Sequence, residues 1–374
     1  MNLFPKTVPW VVVSLIAASS AFGKDNQCCS PDAQKCCGLD QSQGMDCPPL
    51  KAGYNAPARI DVKRCWDIYA DCSFIYWQPE QEDMALGVSN TQLLPDIEFN
   101  GIRGNLIDEN FQYKPGFKVG IGMNFAYDEW DAYTEYTWLH GTNTTSSNGP
   151  GTPGGNILSL WGSPVHGLNT FTSAEGTWRF KFDFLDGELS RSYYVGKRLS
   201  LYPYFGLRGA WIRQKHIAHY INTDSSDNAN GVSNWTIKNQ SVSWGIGPRA
   251  GIGANWMLGR GFRIYGDSAA DILYTHYDVK VREADTLDTA WAQNITQSDT
   301  GYLRTHLDLE LGIGWGSYFH CDRWHVDLSA GYGFQAFFNQ NMFRHFNAGE
   351  VGYSFSPNGN LYIQGLTAMM RIDY

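Results

Sequence analysis

The stretch whose reading decides the fold is the last one, Leu361 to Tyr374: L-Y-I-Q-G-L-T-A-M-M-R-I-D-Y. Counted back in twos, one face carries Tyr374, Ile372, Met370, Ala368, Leu366, Gln364 and Tyr362. The other carries Asp373, Arg371, Met369, Thr367, Gly365 and Ile363. Side chains alternate across a β-strand, so this pattern gives one mostly apolar face with aromatic ends and one polar face. A tilted strand crosses a bilayer in roughly 9–11 residues, and this stretch is long enough. Taken alone it serves equally well as the edge of a soluble sandwich, and the rest of the chain must separate the two.

Working back along the chain, the same alternation recurs. In Trp324–Phe337, Trp324, Val326, Leu328, Ala330, Tyr332 and Phe334 oppose His325, Asp327, Ser329, Gly331, Gly333 and Gln335. In Thr305–Phe319, Leu307, Leu309, Leu311, Ile313 and Trp315 oppose Asp308, Glu310 and glycines. Phe262–Tyr277 places Asp267 and Asp271 on its polar face, and Ser241–Trp256 sets Trp244, Ile246, Ile252 and Trp256 against Arg249 and glycines. Leu201–Ala218, Phe117–Tyr127, Trp130–Trp138 and Trp66–Trp77 repeat the theme. The apolar faces begin and end in aromatics, as an interfacial girdle requires. Residues 176–197 break parity: Trp178, Phe180, Phe182 and Phe184 share a face with Arg179, Lys181 and Asp183 opposite, but the later apolar set, Leu189, Tyr193 and Val195, is shifted by one. A bulge at Asp186-Gly187 within one long strand restores the face.

The connections alternate in length. Long ones are expected near 78–114, 140–175, 219–240, 278–304 and 338–360, and short ones near 128–129, 198–200, 257–261 and 320–323. Short turns at one end and long loops at the other characterise transmembrane barrels. The totals agree. Of 374 residues, 17% are charged, 15% are aromatic and 40 are glycine, while the mean hydropathy is slightly negative, unlike that of a helical membrane protein. The expected fold is all-β: a transmembrane antiparallel barrel of about 10–12 strands over residues 65–374, with long extracellular loops and short periplasmic turns. Two strands beyond ten would have to come from 78–114 or 140–175.

Residues 1–23 read as a signal peptide: Lys6, an apolar run from Val8 to Phe22, and small residues at Ala21 and Gly23. Residues 24–64 lack periodicity and read as a cysteine-rich periplasmic segment. Cys28, Cys29, Cys36, Cys37, Cys47, Cys65 and Cys321 all fall on the expected periplasmic side and are disulfide candidates in an exported chain. The spacing C-C-x6-C-C is not that of a zinc site, so no metal is expected. The net charge of −9 disfavours nucleic acid as a partner.

A family resemblance rests on Y-K-P-G-F-K-V-G-I-G (Tyr113–Gly122), D-E-W-D (Asp128–Asp131), Y-T-W-L (Tyr136–Leu139), L-Y-P-Y-F-G-L-R-G-A-W-I (Leu201–Ile212) and L-D-L-E-L-G (Leu307–Gly312). These resemble the Legionella-type major outer membrane proteins, most of all the version in amoeba-infecting, Chlamydia-like bacteria. The likeness spans most of Trp66–Tyr374 and omits 24–64. It implies an abundant surface porin of Chlamydiae, in trimers, in an envelope cross-linked by disulfides to neighbouring proteins. The strand count departs from the sixteen or so proposed for the chlamydial protein. The terminal aromatic Tyr374 resembles the signal that such barrels present to the barrel assembly machinery. Outer-membrane lipid is the other expected partner.

The polar faces supply lumen-lining candidates: Lys118, Asp131, Glu135, Arg179, Lys181, Asp183, Arg208, Arg249, Asp267, Asp271, Asp308, Glu310, Asp327 and Arg371. Rings of such charge tune pores, and the polar-face glycines are expected to widen this one. Mutual pairing of the charges in a filled lumen is the competing arrangement. No G-x-S-x-G or H-E-x-x-H is present, and Gly245-x-Gly247 sits on a strand with no helix to bind phosphate. No cofactor and no enzymatic activity are expected. The function expected is a porin for ions and small hydrophilic solutes with a structural role through disulfides. The alternative is a non-conducting barrel that anchors host-facing loops.

Overall fold

The computed structural model describes residues 58–60, 62, 67–90, 104–125, 129–149, 156–161, 170–222, 234–285, 291–320, 322–346, 354–355 and 358–374. The signal sequence expected at 1–23, the segment 24–64, and Cys28, Cys29, Cys36, Cys37, Cys47, Cys65 and Cys321 lie outside these described residues. The barrel belongs to the unit formed by Asn55–Val62 and Asp67–Tyr374.

Ten long antiparallel strands close on themselves in simple sequence order. They are β1 Ile68–Gln81, β2 Lys114–Asn124, β3 Trp130–Asn148, β4 Ser173–Arg191, β5 Leu199–Ile221, β6 Asn234–Gly259, β7 Phe262–Asp285, β8 Trp291–Phe319, β9 Trp324–Phe337 and β10 Leu361–Asp373. The barrel shuts where β10 pairs with β1, from Tyr69 opposite Asp373 to Gln81 opposite Leu361. Backbone bonds carry the seam past the last ladder pair, with Tyr374 N donating to Ile68 O at 2.8 Å. Closure leaves no wall strand with an unpaired edge, which a bilayer demands because it offers no water to exposed amides. The turns at one end are tight. Between β6 and β7, Gly261 takes φ +85°, and a Cβ there would run into the Gly316 carbonyl.

Strand length exceeds what a membrane needs. β5, β6, β7 and β8 have 23, 26, 24 and 29 residues, against roughly 9–11 for a crossing. The side chains mark where the crossing stops. On β5 the outward residues Leu201, Phe205, Leu207 and Trp211 are apolar, and then Arg213 and Lys215 follow. On the inner face the order inverts, with Tyr204 and Arg208 below and Ile212, Ala218 and Tyr220 above. The lower half is therefore apolar outside and polar inside, and the upper half is the reverse. The upper interior is a dry core that includes Ile75, Trp77, Leu139, Trp178, Phe180, Phe182, Phe184, Ile212, Leu273, Phe337 and Ile363.

Three expectations need correction. First, among the described residues, 78–114 and 140–175 add no eleventh or twelfth strand to the wall. Their short pieces Gly87–Asn90, Gly104–Ile107, Asn156–Ser159 and Thr170–Phe171 form a separate four-stranded sheet. Second, much of the expected loops 219–240 and 278–304 is wall: β5 continues to Ile221, β6 begins at Asn234, and β7 and β8 reach Asp285 and Trp291. Third, β4 is one strand, as expected, but it has no bulge. It runs in unbroken register against both β3 and β5. Trp178, Phe180, Phe182 and Phe184 consequently face inward with Asp186 and Glu188, because this part of the strand stands above the membrane, where apolar side chains gain by facing the core.

Candidate functional site in the barrel lumen

The inner face of the lower half holds a layered set of charges. Nearest the short turns, Arg371 bonds Asp373 at 2.6 Å and lies 3.5 Å over the Tyr69 ring, whose hydroxyl donates to Asp131 at 2.8 Å. Asp373 also meets His325 at 3.0 Å, and Arg263 grips Asp327 with both terminal nitrogens. In the next layer Lys118 pairs with Glu135 at 2.9 Å, Tyr265 donates to Glu310 at 2.7 Å, and Tyr204 donates to Asp267 at 2.7 Å. Lys118, Glu135, Tyr265, Asp267 and Glu310 are half-buried on the inner face, and Tyr204 is buried.

Above them the layer tightens. Arg208 makes a two-pronged bond to Asp186 at 2.6 and 2.7 Å and reaches Asp271 at 3.4 Å. Arg249 bridges Glu188 at 3.0 Å, Asp271 at 3.3 Å and Asp308 at 3.2 Å, tying β6 to β4, β7 and β8. His306 meets Asp271 at 2.8 Å. Arg208, Arg249, Asp186, Asp271 and His306 are all at most 5% exposed at the side chain. Two guanidiniums are shared among four carboxylates, the pairing that buried charge requires, and Asp271 Oδ1 alone of their oxygens is buried with no hydrogen-bond partner.

Aromatic rings sit directly on this layer. His306 lies 4.0 Å from the Phe337 ring, Phe337 stacks on Phe184 at 5.2 Å, and Phe184 continues to Phe182 and Phe180. Gln214 accepts from Trp178 and donates to Gln81, each at 3.1 Å, bridging β4, β5 and β1. Loop residues then close the top. Trp161 packs on His216 and His345 at 4.5 and 3.9 Å, and Glu109 is held by His216 at 2.9 Å and Thr145 at 2.7 Å. Burial pushes the His345 imidazole below its ordinary pKa, and the His216 charge acts in the same direction.

Of the residues singled out by sequence, Lys118, Asp131, Glu135, Arg208, Arg249, Asp267, Asp271, Asp308, Glu310, Asp327 and Arg371 are placed on the inner face and brought together in these layers. Arg179, Lys181 and Asp183 are not. They point outward from the upper half of β4, and Asp183 bonds Tyr136 at 2.8 Å, His140 at 3.0 Å and Arg213 at 3.1 Å on the outer wall. Sequence reasoning misses Asp186, which lies on the expected bulge, and His306, which sits just ahead of the apolar run that begins at Leu307. The glycines are also corrected. A Cβ at Gly120 would strike Tyr133, at Gly251 Tyr204 and at Gly331 Tyr265, so these glycines seat inward rings against the wall. Cys72 is a free thiol on the outer, apolar face of β1, and Tyr374 is half-exposed with its ring 4.3 Å from Trp324. A groove of about 460 Å³ lies outside the lumen, where the small residues Ala254, Gly266 and Ser268 sit among Ile252, Leu309, Leu311 and Tyr332.

The family model described as the Legionella pneumophila major outer membrane protein precursor matches residues 61–372. The chain belongs to this family. It is an outer-membrane protein by that membership and by its barrel. No curated protein matches it. Among solved structures it is similar to the outer membrane protease OmpT from Escherichia coli, at 12% identity and a TM-score of 0.41, over 82% of this chain and 96% of that one. It is also similar to a Pseudomonas aeruginosa FadL homologue, at 7% identity and a TM-score of 0.25, over 83% and 90% of the two chains. The Ralstonia pickettii toluene transporter TbuX follows at 9% identity and a TM-score of 0.22, over 82% and 88%. A protease among these barrels overturns the expectation that the family member described here is no enzyme, since the fold is shared by enzymes and non-enzymes.

Proposed function

We propose that the protein is a narrow porin for ions and small hydrophilic solutes whose upper lumen is shut in the conformation described. The observation that carries this reading is the set of half-buried charged side chains on the inner face of the lower barrel, Lys118, Glu135, Glu310, Arg263 and Arg371. A filled structural barrel has no need of such charges, because an apolar interior of equal volume is as stable or more so. Carboxylates outnumber cations in these layers, which favours passage of cations.

One observation favours a second reading, a non-conducting anchor for surface loops. The closing layer is made of wall side chains, Phe182, Phe184, Ile212 and Phe337, each at most 3% exposed. Opening it means repacking strands rather than moving a loop.

Single-channel recording in planar bilayers separates the two. The porin reading predicts small, infrequent steps from the wild-type barrel and larger, longer ones from the Phe184→Ala and Phe337→Ala double variant. Silence from both, in protein shown by circular dichroism and heat-modified gel mobility to be folded, overturns it in favour of the anchor. The disulfide role belongs to the same proposal and is tested by comparing gel mobility of native envelopes with and without reductant.

A further inference from the structure

The outer wall above the apolar band is not uniform around the barrel. On β4 and β5 the ladder sets Lys181 opposite Arg213, and Arg179 opposite Lys215, all pointing outward. On β6 and β7 it continues with Gln240 opposite Lys280 and Lys238 opposite Arg282. The described carboxylates on the outer face of these strands at this height are Glu175, Asp183 and Asp278. Asp183 is engaged by Tyr136, His140 and Arg213, and Asp278 accepts the Asp299 backbone N–H at 3.2 Å. On β1 and β10 the same height carries Gln78, Glu80, Tyr362 and Gln364, and no described Lys or Arg faces outward there.

Two features say what meets this face. Like charges directly opposite on neighbouring strands destabilise a sheet; Asp183 answers Arg213, which leaves Lys181 and the Arg179/Lys215 pair calling for an anion from outside the chain. Height supplies the second. Arg213 follows Trp211 on the outer face of β5, and Trp244 stacks on His276 at 4.8 Å in the row below Asp278. Tryptophans at the edge of an apolar band mark the headgroup level, and long basic side chains just above it reach phosphate oxygens.

We propose that the outer face of β4–β7 binds the phosphorylated headgroups of anionic lipids in the outer leaflet. The lipid lies with its acyl chains along the apolar band and its phosphates among Lys181, Arg213, Lys215 and Lys280. The opposite side of the barrel, at β10 and β1, takes no such lipid.

The test uses the full-length protein in phosphatidylcholine nanodiscs, titrated with fluorescent lipid A. Wild type binds saturably, and a Lys181→Gln, Lys215→Gln, Lys280→Gln variant binds at least tenfold more weakly. A control with as many cations removed at the other rim, Lys197→Gln, Arg198→Gln and Arg260→Gln, stays within twofold of wild type. Lipid A stripped of its phosphates binds no better to wild type than to the variant, and millimolar inorganic phosphate does not displace the intact lipid. Equal binding by variant and wild type overturns the proposal, as does an equal loss in the control. Displacement by inorganic phosphate also overturns it, in favour of a site for the free anion. All the substituted side chains point to solvent or headgroups, and folding of each variant is checked by gel mobility. Should the triple variant fail to fold, Lys280→Gln alone, on β7 and away from the Asp183 contacts, must weaken binding at least twofold, and no change overturns the proposal.

Discussion

The lower and upper halves of the same strands are built on opposite plans. Below Trp211 and Trp244 the wall is apolar outside and holds Arg208, Arg249, Asp271 and Glu310 inside. Above them the outside carries Arg179, Lys181, Arg213 and Lys280, and the inside holds Trp178, Phe180, Phe182 and Ile237. No bulge intervenes on β4 or β5, so the ladder is indifferent to the change and the medium outside decides it. Lipid accepts apolar side chains at no cost and leaves charges to gather inside. Water reverses the preference. One β-sheet thus serves as a membrane barrel and as the shell of a water-soluble core.

The contrast is broken most strongly by emptying the upper core or unpairing the charged layer beneath it. Phe182→Ala is expected to cost about 3–5 kcal/mol, the range for deleting a buried ring. Asp186→Ala takes away the two-pronged partner of Arg208 and is expected to cost about 3–5 kcal/mol, the range for removing one partner of a buried pair. Both are read from reversible urea unfolding in lipid vesicles, and a loss under about 1 kcal/mol for either contradicts the packing described. A charge on the outer face sharpens the comparison. Leu309→Arg, on the apolar band, is expected to cost about 2–4 kcal/mol as for a charge near the bilayer midplane. Ile217→Arg, outward but above the band, should stay within about 0.5 kcal/mol as for an ordinary surface site. Equal costs at the two positions would mean that the membrane reaches higher than Trp211.

The smallest effect is on pH dependence. His345 is buried neutral in the loop cap, so its folded pKa lies below the ordinary value of about 6.5. The folded cap then binds fewer protons than the unfolded chain. The contribution of His345 is whole above about pH 6.5 and is lost as pH falls from there toward its folded pKa. Hydrogen-exchange protection factors around residues 340–346, with the intrinsic pH dependence of exchange divided out, should fall between pH 7.5 and 5.5, and His345→Gln should flatten that dependence. An acid-induced fall in protection that survives in the variant assigns the sensitivity to another group.

The lower half is legible in the sequence because lipid imposes a simple code. An unbroken run such as Leu307, Leu309, Leu311, Ile313 and Trp315 has one explanation, and its neighbours Asp308 and Glu310 follow inward. The upper half is not legible, since alternation there has the opposite meaning. Trp178 to Phe184 looks like a lipid-facing stripe, and only the register against β3 and β5 shows that it faces in. That one inversion misplaces Arg179, Lys181 and Asp183, suggests a bulge, and hides Asp186. Val279 and Val281 likewise fall in an expected loop, although both are buried strand residues at 1% exposure. The filling of the lumen is out of reach for another reason: Arg208 meets Asp186 and Asp271 across three strands, and no spacing in the chain records such a meeting.

The inversion itself can be measured directly. A photo-reactive phenylalanine analogue is placed singly at outward positions along β5, at Phe205, Trp211, Ile217 and Ile221, in the protein embedded in native membranes. Acyl-chain adducts are expected at 205 and 211 and none at 217 or 221. Adducts at 217 and 221 matching those at 205 would show that lipid covers the whole strand, and would contradict a barrel that changes plan at the level of Trp211.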